Sequence, residues 1–106
     1  MPSVSLLSLA TALPPYRVTQ SEAKAAGKAM FQGRAALFDR LSGVFDNALI
    51  DQRATVAPIE WYQQPHGWAE RTALYVEATE ALFEQAATKA LAGAGLAESA
   101  IDGIVF

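Results

Sequence analysis

Residues 68–106 read WAERTALYVEATEALFEQAATKALAGAGLAESAIDGIVF, and this stretch decides the fold class. Apolar residues recur at helical spacing from Trp68 to Ala94, which predicts one long helix with a broad apolar face. Gly93 and Gly95 are expected to end that helix. The aliphatic run over residues 101–106 follows and predicts a buried β-strand.

A second aliphatic run, Val4 to Ala10, precedes Pro14 and Pro15 near the start of the chain. Its length and the breakers behind it predict another strand buried on both faces. A strand, helices and a strand in this order form a crossover unit that places both strands in one parallel sheet. Such sheets need more than two strands. We therefore expect residues 1–106 to be the incomplete N-terminal part of an α/β domain that continues beyond residue 106.

Three features are predicted between these two runs. Thr19 and Glu22 fit a capping box, which predicts a helix that continues to about Phe31. A second helix is expected over residues 34–49, because one apolar stripe recurs at spacings of three and four: Leu37, Leu41, Val44, Phe45 and Ala48. Residues 50–67 are expected to form a long ordered loop.

Composition excludes several function classes. Hydrophobic residues make up 52% and charged residues 18% of the chain, with a net charge of −3 and no basic cluster. Nucleic acid is therefore not an expected partner, since binding phosphates requires a concentrated positive face. These residues include no cysteine and one histidine, so they offer no disulfide or thiolate metal site. The first apolar run is too short to span a bilayer and lacks a basic flank, which predicts no membrane span and a cytoplasmic protein.

Candidate chemistry is sparse. His66 has no second histidine nearby, so a surface loop position is favoured over a metal ligand. The glutamates of the long helix are expected on a solvated face rather than as an acid–base pair. Arg53 is expected to anchor backbone carbonyls of the loop. Arg40 shares a helix face with Gly43 and Asn47, where an arginine can meet a phosphate. Periodicity alone favours an ordinary solvated arginine there.

An ordered set of short segments resembles a known family. The segments are LLSLATALP at 6–14, then, after a helical arm, FDNALIDQR at 45–53, VAPIEWY at 56–62, Glu70-Arg71, AATKAL at 86–91 and IDGIVF at 101–106. In this order they resemble the N-terminal portion of bacterial type III polyketide synthases, relatives of plant chalcone synthase. The resemblance covers essentially all 106 residues. The ending alone also occurs in other thiolase relatives, including priming ketoacyl-carrier-protein synthases.

The resemblance implies a thiolase-like fold, a layered αβαβα homodimer of which this chain is the first part. It implies decarboxylative condensation of an acyl-CoA starter with malonyl-CoA, with CoA thioesters as substrates and no other cofactor. The family's catalytic cysteine, histidine and asparagine would all lie beyond Phe106. Arg40 matches the first of three basic positions that contact CoA phosphates in the family. The next two positions are Gly43 and Asn47, so one charge of three is kept.

Two alternatives stay open at this level. A priming ketoacyl-carrier-protein synthase would need a positive patch for its carrier protein, which the acidic balance of the chain opposes. A non-catalytic helical interaction module would use the long alanine-faced helix as its binding surface.

Overall fold

The computed structural model describes residues 2–106, which divide into two compact units. The central unit is Leu13–Leu74, and the terminal unit combines the chain up to Ala12 with Tyr75–Phe106. The elements in chain order are strand β1 (Tyr16–Thr19), helix α1 (Gln20–Met30), a 3-10 turn (Gln32–Arg34), helices α2 (Ala35–Leu41) and α3 (Gly43–Asn47), strand β2 (Gln52–Thr55), helix α4 (Ile59–Tyr62), helix α5 (Trp68–Ala94) and a second 3-10 turn (Glu98–Ala100).

The predicted capping box at the start of α1 is confirmed. The Glu22 amide donates to the Thr19 hydroxyl oxygen at 3.3 Å, and the Thr19 amide donates to the Glu22 carboxylate at 2.8 Å. These bonds satisfy donors that the first turn of a helix otherwise leaves without partners.

The predicted single helix over residues 34–49 is wrong in its continuity. It is divided at Ser42 into α2 and α3, and α3 ends at Asn47. The Ser42 hydroxyl donates to the Asp39 carbonyl at 3.0 Å, and such local bonds compete with the regular helical ladder. The following Gly43 further lowers helix propensity at this point.

The predicted loop over residues 50–67 is also wrong, because it contains β2 and α4. Strand β2 pairs antiparallel with β1, and Val18 lies opposite Arg53. The Gln20 amide extends this pairing by donating to the Asp51 carbonyl at 2.9 Å. A strand of four mostly polar residues has no periodicity signal of its own, so only its partner defines it.

A small core lies inside the central unit, and its buried residues are Val18, Ala26, Phe38 and Ala57. The predicted stripe omitted Phe38, whereas Leu41 and Val44 of that stripe are exposed. Phe38 lies between Phe31 and Phe45, with ring centroids 6.0 and 6.1 Å away. The core of the central unit is therefore organised around this aromatic row.

Gly27 gives the aromatic row room against α1. A Cβ at this position would lie 3.0 Å from Cε2 and 3.3 Å from Cζ of Phe38. A glycine inside a helix usually costs stability, but here it allows a close approach of the ring.

Helix α5 has the predicted bounds, and its glutamates are exposed as expected. It ends in a Schellman motif, because Leu96 N–H donates to Leu91 O at 3.1 Å and Gly95 N–H to Ala92 O at 3.2 Å. Gly95 has a φ of 67°, the left-handed conformation that ends a helix, so Gly95 alone terminates α5. The expectation for Gly93 is wrong, since it lies within the helix. None of the helices in the described part of the chain is long and apolar enough to cross a membrane.

The strands predicted at residues 4–10 and 101–106 are absent from the described structure. Both segments lie along α5 instead. Lys89 Nζ donates to the Thr11 carbonyl at 3.3 Å, and Phe106 packs edge-on against Phe83 with centroids 5.6 Å apart. A strand exists only through hydrogen bonds to a neighbouring strand, and no such neighbour is present among residues 2–106. The parallel sheet expected from the sequence therefore remains a prediction.

Candidate functional site

The candidate phosphate contact, Arg40, lies in the last turn of α2. The buried ring of Phe38 fixes this short helix to the core, and Arg40 is exposed two residues further on. Its guanidinium forms no hydrogen bond or ion pair with any residue that the structure describes. The side chain is therefore available to a ligand from solution.

The nearest predicted companions of Arg40 lie on the next helix. A Cβ on Gly43 would come within 3.9 Å of Asn47 Nδ2, so these two residues do share one face of α3. The division at Ser42 separates them from Arg40, which changes the single continuous ridge that the sequence predicted.

Helix α3 carries a charged side chain of its own, Asp46. Asp46 on α3 accepts from Lys24 on α1 at 3.0 Å, which links the two helices. A free guanidinium presents a planar set of donors that matches a phosphate group.

A glutamine in α1 joins three elements of the central unit. Arg53 on β2 donates to Gln20 Oε1 at 2.5 Å, and Gln20 Nε2 donates to the Phe45 carbonyl. Arg53 was predicted to bond backbone carbonyls, but its partner is the Gln20 side chain. The backbone carbonyl of Phe45 is bonded by Gln20 instead. This chain of bonds fixes α3, and with it Gly43 and Asn47, relative to β2.

The His66 ring makes three contacts and is only partly exposed, so His66 is not an ordinary surface loop residue. Its Nε2 lies 2.8 Å from the Trp61 carbonyl, and its Nδ1 lies 2.9 Å from Glu70 Oε2. The imidazole stacks on the Trp61 indole with centroids 3.8 Å apart and an interplanar angle of 7°. No group of three or more acidic, cysteine or histidine side chains that could hold a metal occurs among residues 2–106. The sequence carried a local signal for this cluster, since His66 and Glu70 are four residues apart.

Comparison with known proteins gives one informative similarity. The chain is 40% identical over 74 residues to a protein of Bacillus subtilis (strain 168) that carries the name "Putative chalcone synthase". The matched region is 70% of this chain and 20% of that protein, so the chain spans about a fifth of its relative. No family model matches the chain. No solved structure matches it either. The similarity therefore shows that part of this chain resembles part of a protein named "Putative chalcone synthase".

Proposed function

We propose that this chain is the N-terminal part of a type III polyketide synthase, an acyltransferase that condenses an acyl-CoA starter with malonyl-CoA. The observation that carries the proposal is the 40% identity over 74 residues to the Bacillus subtilis protein. Identity at this level over most of the chain agrees with the family resemblance of the segments between Leu6 and Phe106.

The exposed apolar surface of the terminal unit supports a thiolase-like fold. Leu6 and Leu9 are each 83% exposed, and Val105 and Phe106 at the other end are also largely exposed. A parallel sheet covers both faces of its strands with helices, so these side chains would become buried once further strands and helices are added. In the proposed domain, the layered αβαβα architecture supplies that cover.

The chemistry of the proposed enzyme is covalent catalysis. A cysteine thiolate beyond Phe106 attacks the starter thioester, and CoA leaves as its thiolate. Malonyl-CoA loses CO₂, and the resulting enolate attacks the cysteine-bound acyl group, which releases the cysteine. A histidine and an asparagine, also beyond Phe106, stabilise the developing oxyanion and the enolate. The proposed partners are the two CoA thioesters and a second copy of the chain in a homodimer.

Arg40 is the one residue of this chain that we assign to substrate binding, as a contact to a CoA phosphate. Its exposure and its lack of a described partner support this role. One arginine without the two further family charges gives a weaker contact than three basic residues would give.

The proposed activity is tested with the full-length protein, radiolabelled malonyl-CoA and a series of acyl-CoA starters. We expect CO₂ release, free CoA and a labelled product that depends on the starter, and prior alkylation of cysteine should abolish formation of the product. A protein that neither decarboxylates malonyl-CoA nor releases CoA with any starter would refute the proposal.

Arg40→Ala in the full-length enzyme tests the phosphate contact. We expect KM for CoA substrates to rise about five- to tenfold, since a hydrogen bond to a charged group contributes about 1.5 kcal/mol or somewhat less when exposed. The turnover number should change little. The exposed Arg34, at the end of the first 3-10 turn, gives the matched control, and Arg34→Ala should leave KM unchanged. An unchanged KM in Arg40→Ala would remove this residue from the site.

A further inference from the structure

The cluster around His66 has hydrogen-bond requirements that decide its protonation. The Trp61 carbonyl oxygen can only accept a hydrogen bond, so Nε2 must carry a proton. An ionised Glu70 carboxylate can also only accept, so Nδ1 must carry one as well. Both contacts are satisfied together when the pair holds one proton more than a neutral imidazole beside an ionised carboxylate.

Two further features act on the positive charge of this arrangement. The flat stack on the Trp61 indole favours a cationic ring, because the face of an aromatic ring is electron-rich. The start of α5 disfavours the cationic form of the ring, since His66 lies two residues before Trp68 and the helix dipole is positive there. The negative charge of Glu70, in the first turn of α5, offsets this positive end of the helix dipole.

Few other charged groups face the imidazole. Glu60 on α4 and Arg71 on α5 form no hydrogen bond or ion pair with it, and no second carboxylate lies within 4.0 Å among residues 2–106. The side chain of His66 is 16% exposed, which limits replacement of a lost contact by water. The protonation of this pair is thus coupled directly to the two contacts of the ring, with Glu70 and with the Trp61 carbonyl.

We propose that His66 is a pH-dependent clasp that fastens α4 to the first turn of α5. With the extra proton, the ring bonds Trp61 on one side and Glu70 on the other. When that proton is lost, the neutral ring keeps a single N–H, so one of its two contacts, to the Trp61 carbonyl or to Glu70, opens. The segment between the two helices, residues 63–67, then loses one of its attachments. This inference does not depend on the proposed acyl transfer.

The test measures hydrogen–deuterium exchange of residues 59–67 in the full-length protein at about pH 5.5 and about pH 8, on either side of the range in which histidine changes charge. After correction for intrinsic exchange rates, we expect protection to fall about two- to tenfold at the higher pH, as loss of one net hydrogen bond predicts. Equal protection at both pH values would overturn the proposal.

Glu70→Gln separates the clasp from a general effect of pH. The amide of a glutamine can donate to Nδ1 while Nε2 still donates to Trp61, so a neutral ring satisfies both contacts. Protection should then be the same at both pH values. The matched control, Glu77→Gln on the exposed face of the same helix, should keep the wild-type response. A pH response that persists in Glu70→Gln would contradict the clasp.

His66→Phe keeps the aromatic stack and removes both hydrogen bonds. It should show low protection of residues 59–67 at both pH values, and a normal exchange pattern in α1 would confirm that the variant folds. If His66→Phe instead retained the wild-type pH response, another group would be responsible and the proposal would fail.

Discussion

The central and terminal units differ in how they bury their apolar residues. The four buried residues among residues 2–106 all lie in the central unit, together with its antiparallel strand pair and the Gln20 network. The described part of the terminal unit contributes no buried residue, although α5 and both end segments are rich in apolar side chains. One unit is therefore stabilised by its own contacts, and the other presents apolar surface that lacks a cover in this chain.

This difference indicates where the missing stability would have to come from. Burial of apolar surface contributes about 25 cal/mol per Å², and a single fully buried aliphatic or aromatic side chain contributes roughly 2 kcal/mol. Residues that are more than four-fifths exposed, such as Leu6, Leu9 and Phe106, contribute little of this. In the proposed condensing enzyme, further polypeptide would cover these side chains and add their contribution.

The largest expected effect is the behaviour of the isolated 106 residues. We expect this chain to aggregate or to remain molten, since the terminal unit buries too little apolar surface to offset its conformational entropy. Circular dichroism during heating and gel filtration measure this directly. A cooperative transition of a monomer would contradict the comparison between the units and would favour an independent helical interaction module.

Substituting one phenylalanine in each unit of the full-length protein compares how much each unit gains in stability from an apolar side chain. Phe38→Ala should cost about 3 kcal/mol, as expected for removal of a buried aromatic side chain. Phe106→Ala should cost a similar amount if further polypeptide covers this residue, which is 85% exposed here. Urea unfolding followed by circular dichroism gives both values.

Leu49→Ala provides the control for these phenylalanines, because Leu49 is exposed in the central unit and should change stability by less than about 0.5 kcal/mol. If Phe106→Ala cost no more than Leu49→Ala, the terminal unit would have a free apolar surface in the whole protein. The thiolase-like architecture would then be untenable.

Two helical glycines give a smaller contrast. A Cβ at Gly27 would meet the packed ring of Phe38, whereas one at Gly93 would lie 2.6 Å from the Ser8 hydroxyl oxygen. Gly27→Ala should cost about 1 kcal/mol, since overpacking outweighs the gain in helix propensity. Gly93→Ala combined with Ser8→Ala removes the clash and should gain up to about 1 kcal/mol.

Urea unfolding of these glycine variants in the full-length protein measures the difference. Gly93→Ala alone should fall between wild type and the double variant, because the short Ser8 side chain can rotate away. Equal effects of Gly27→Ala and the double variant would show that α1 is not packed against the aromatic row as tightly as the distances indicate.

The sequence predicted those elements whose signals are local. Helix α5 was predicted with its bounds, because apolar periodicity and Gly95 define them. The capping box of Thr19 and Glu22 was also predictable from the sequence, since both partners lie within one helical turn. Such signals require no knowledge of the rest of the chain.

The features that depend on distant partners were missed. Strand β2 is recognisable only from its pairing with β1, more than thirty residues earlier. The core position of Phe38 had a signal that went unused, because Phe31, Phe38 and Phe45 recur at intervals of seven residues and so return to nearly the same side of a helix. Arg40, the proposed phosphate contact, was correctly placed on a helix, but periodicity does not define a ligand for it.

The smallest expected effect concerns the cap of α1, a stabilising device of the central unit. The Thr19 amide, and then its hydroxyl, donate to the Glu22 carboxylate and hold the pKa of Glu22 below its ordinary value of 4.5. A carboxylate with a lowered pKa stabilises the fold at pH values above 4.5, and this contribution is lost as pH falls through the lowered value. Thr19→Ala removes the N-cap hydroxyl that accepts from the Glu22 amide, and loss of such a cap should destabilise α1 by about 1 kcal/mol at neutral pH.

Hydrogen exchange of residues 20–30 in the full-length protein measures the stability of α1. Glu22→Gln serves as the control, because glutamine can still accept from the Thr19 amide but does not titrate in this range. Wild type should be better protected than Glu22→Gln at neutral pH and should converge with it as pH falls below 4.5. A constant difference between the two proteins across this range would show that the charge of Glu22 does not stabilise the cap, and the stability of α1 would then rest on Ala26 and the aromatic row beneath it.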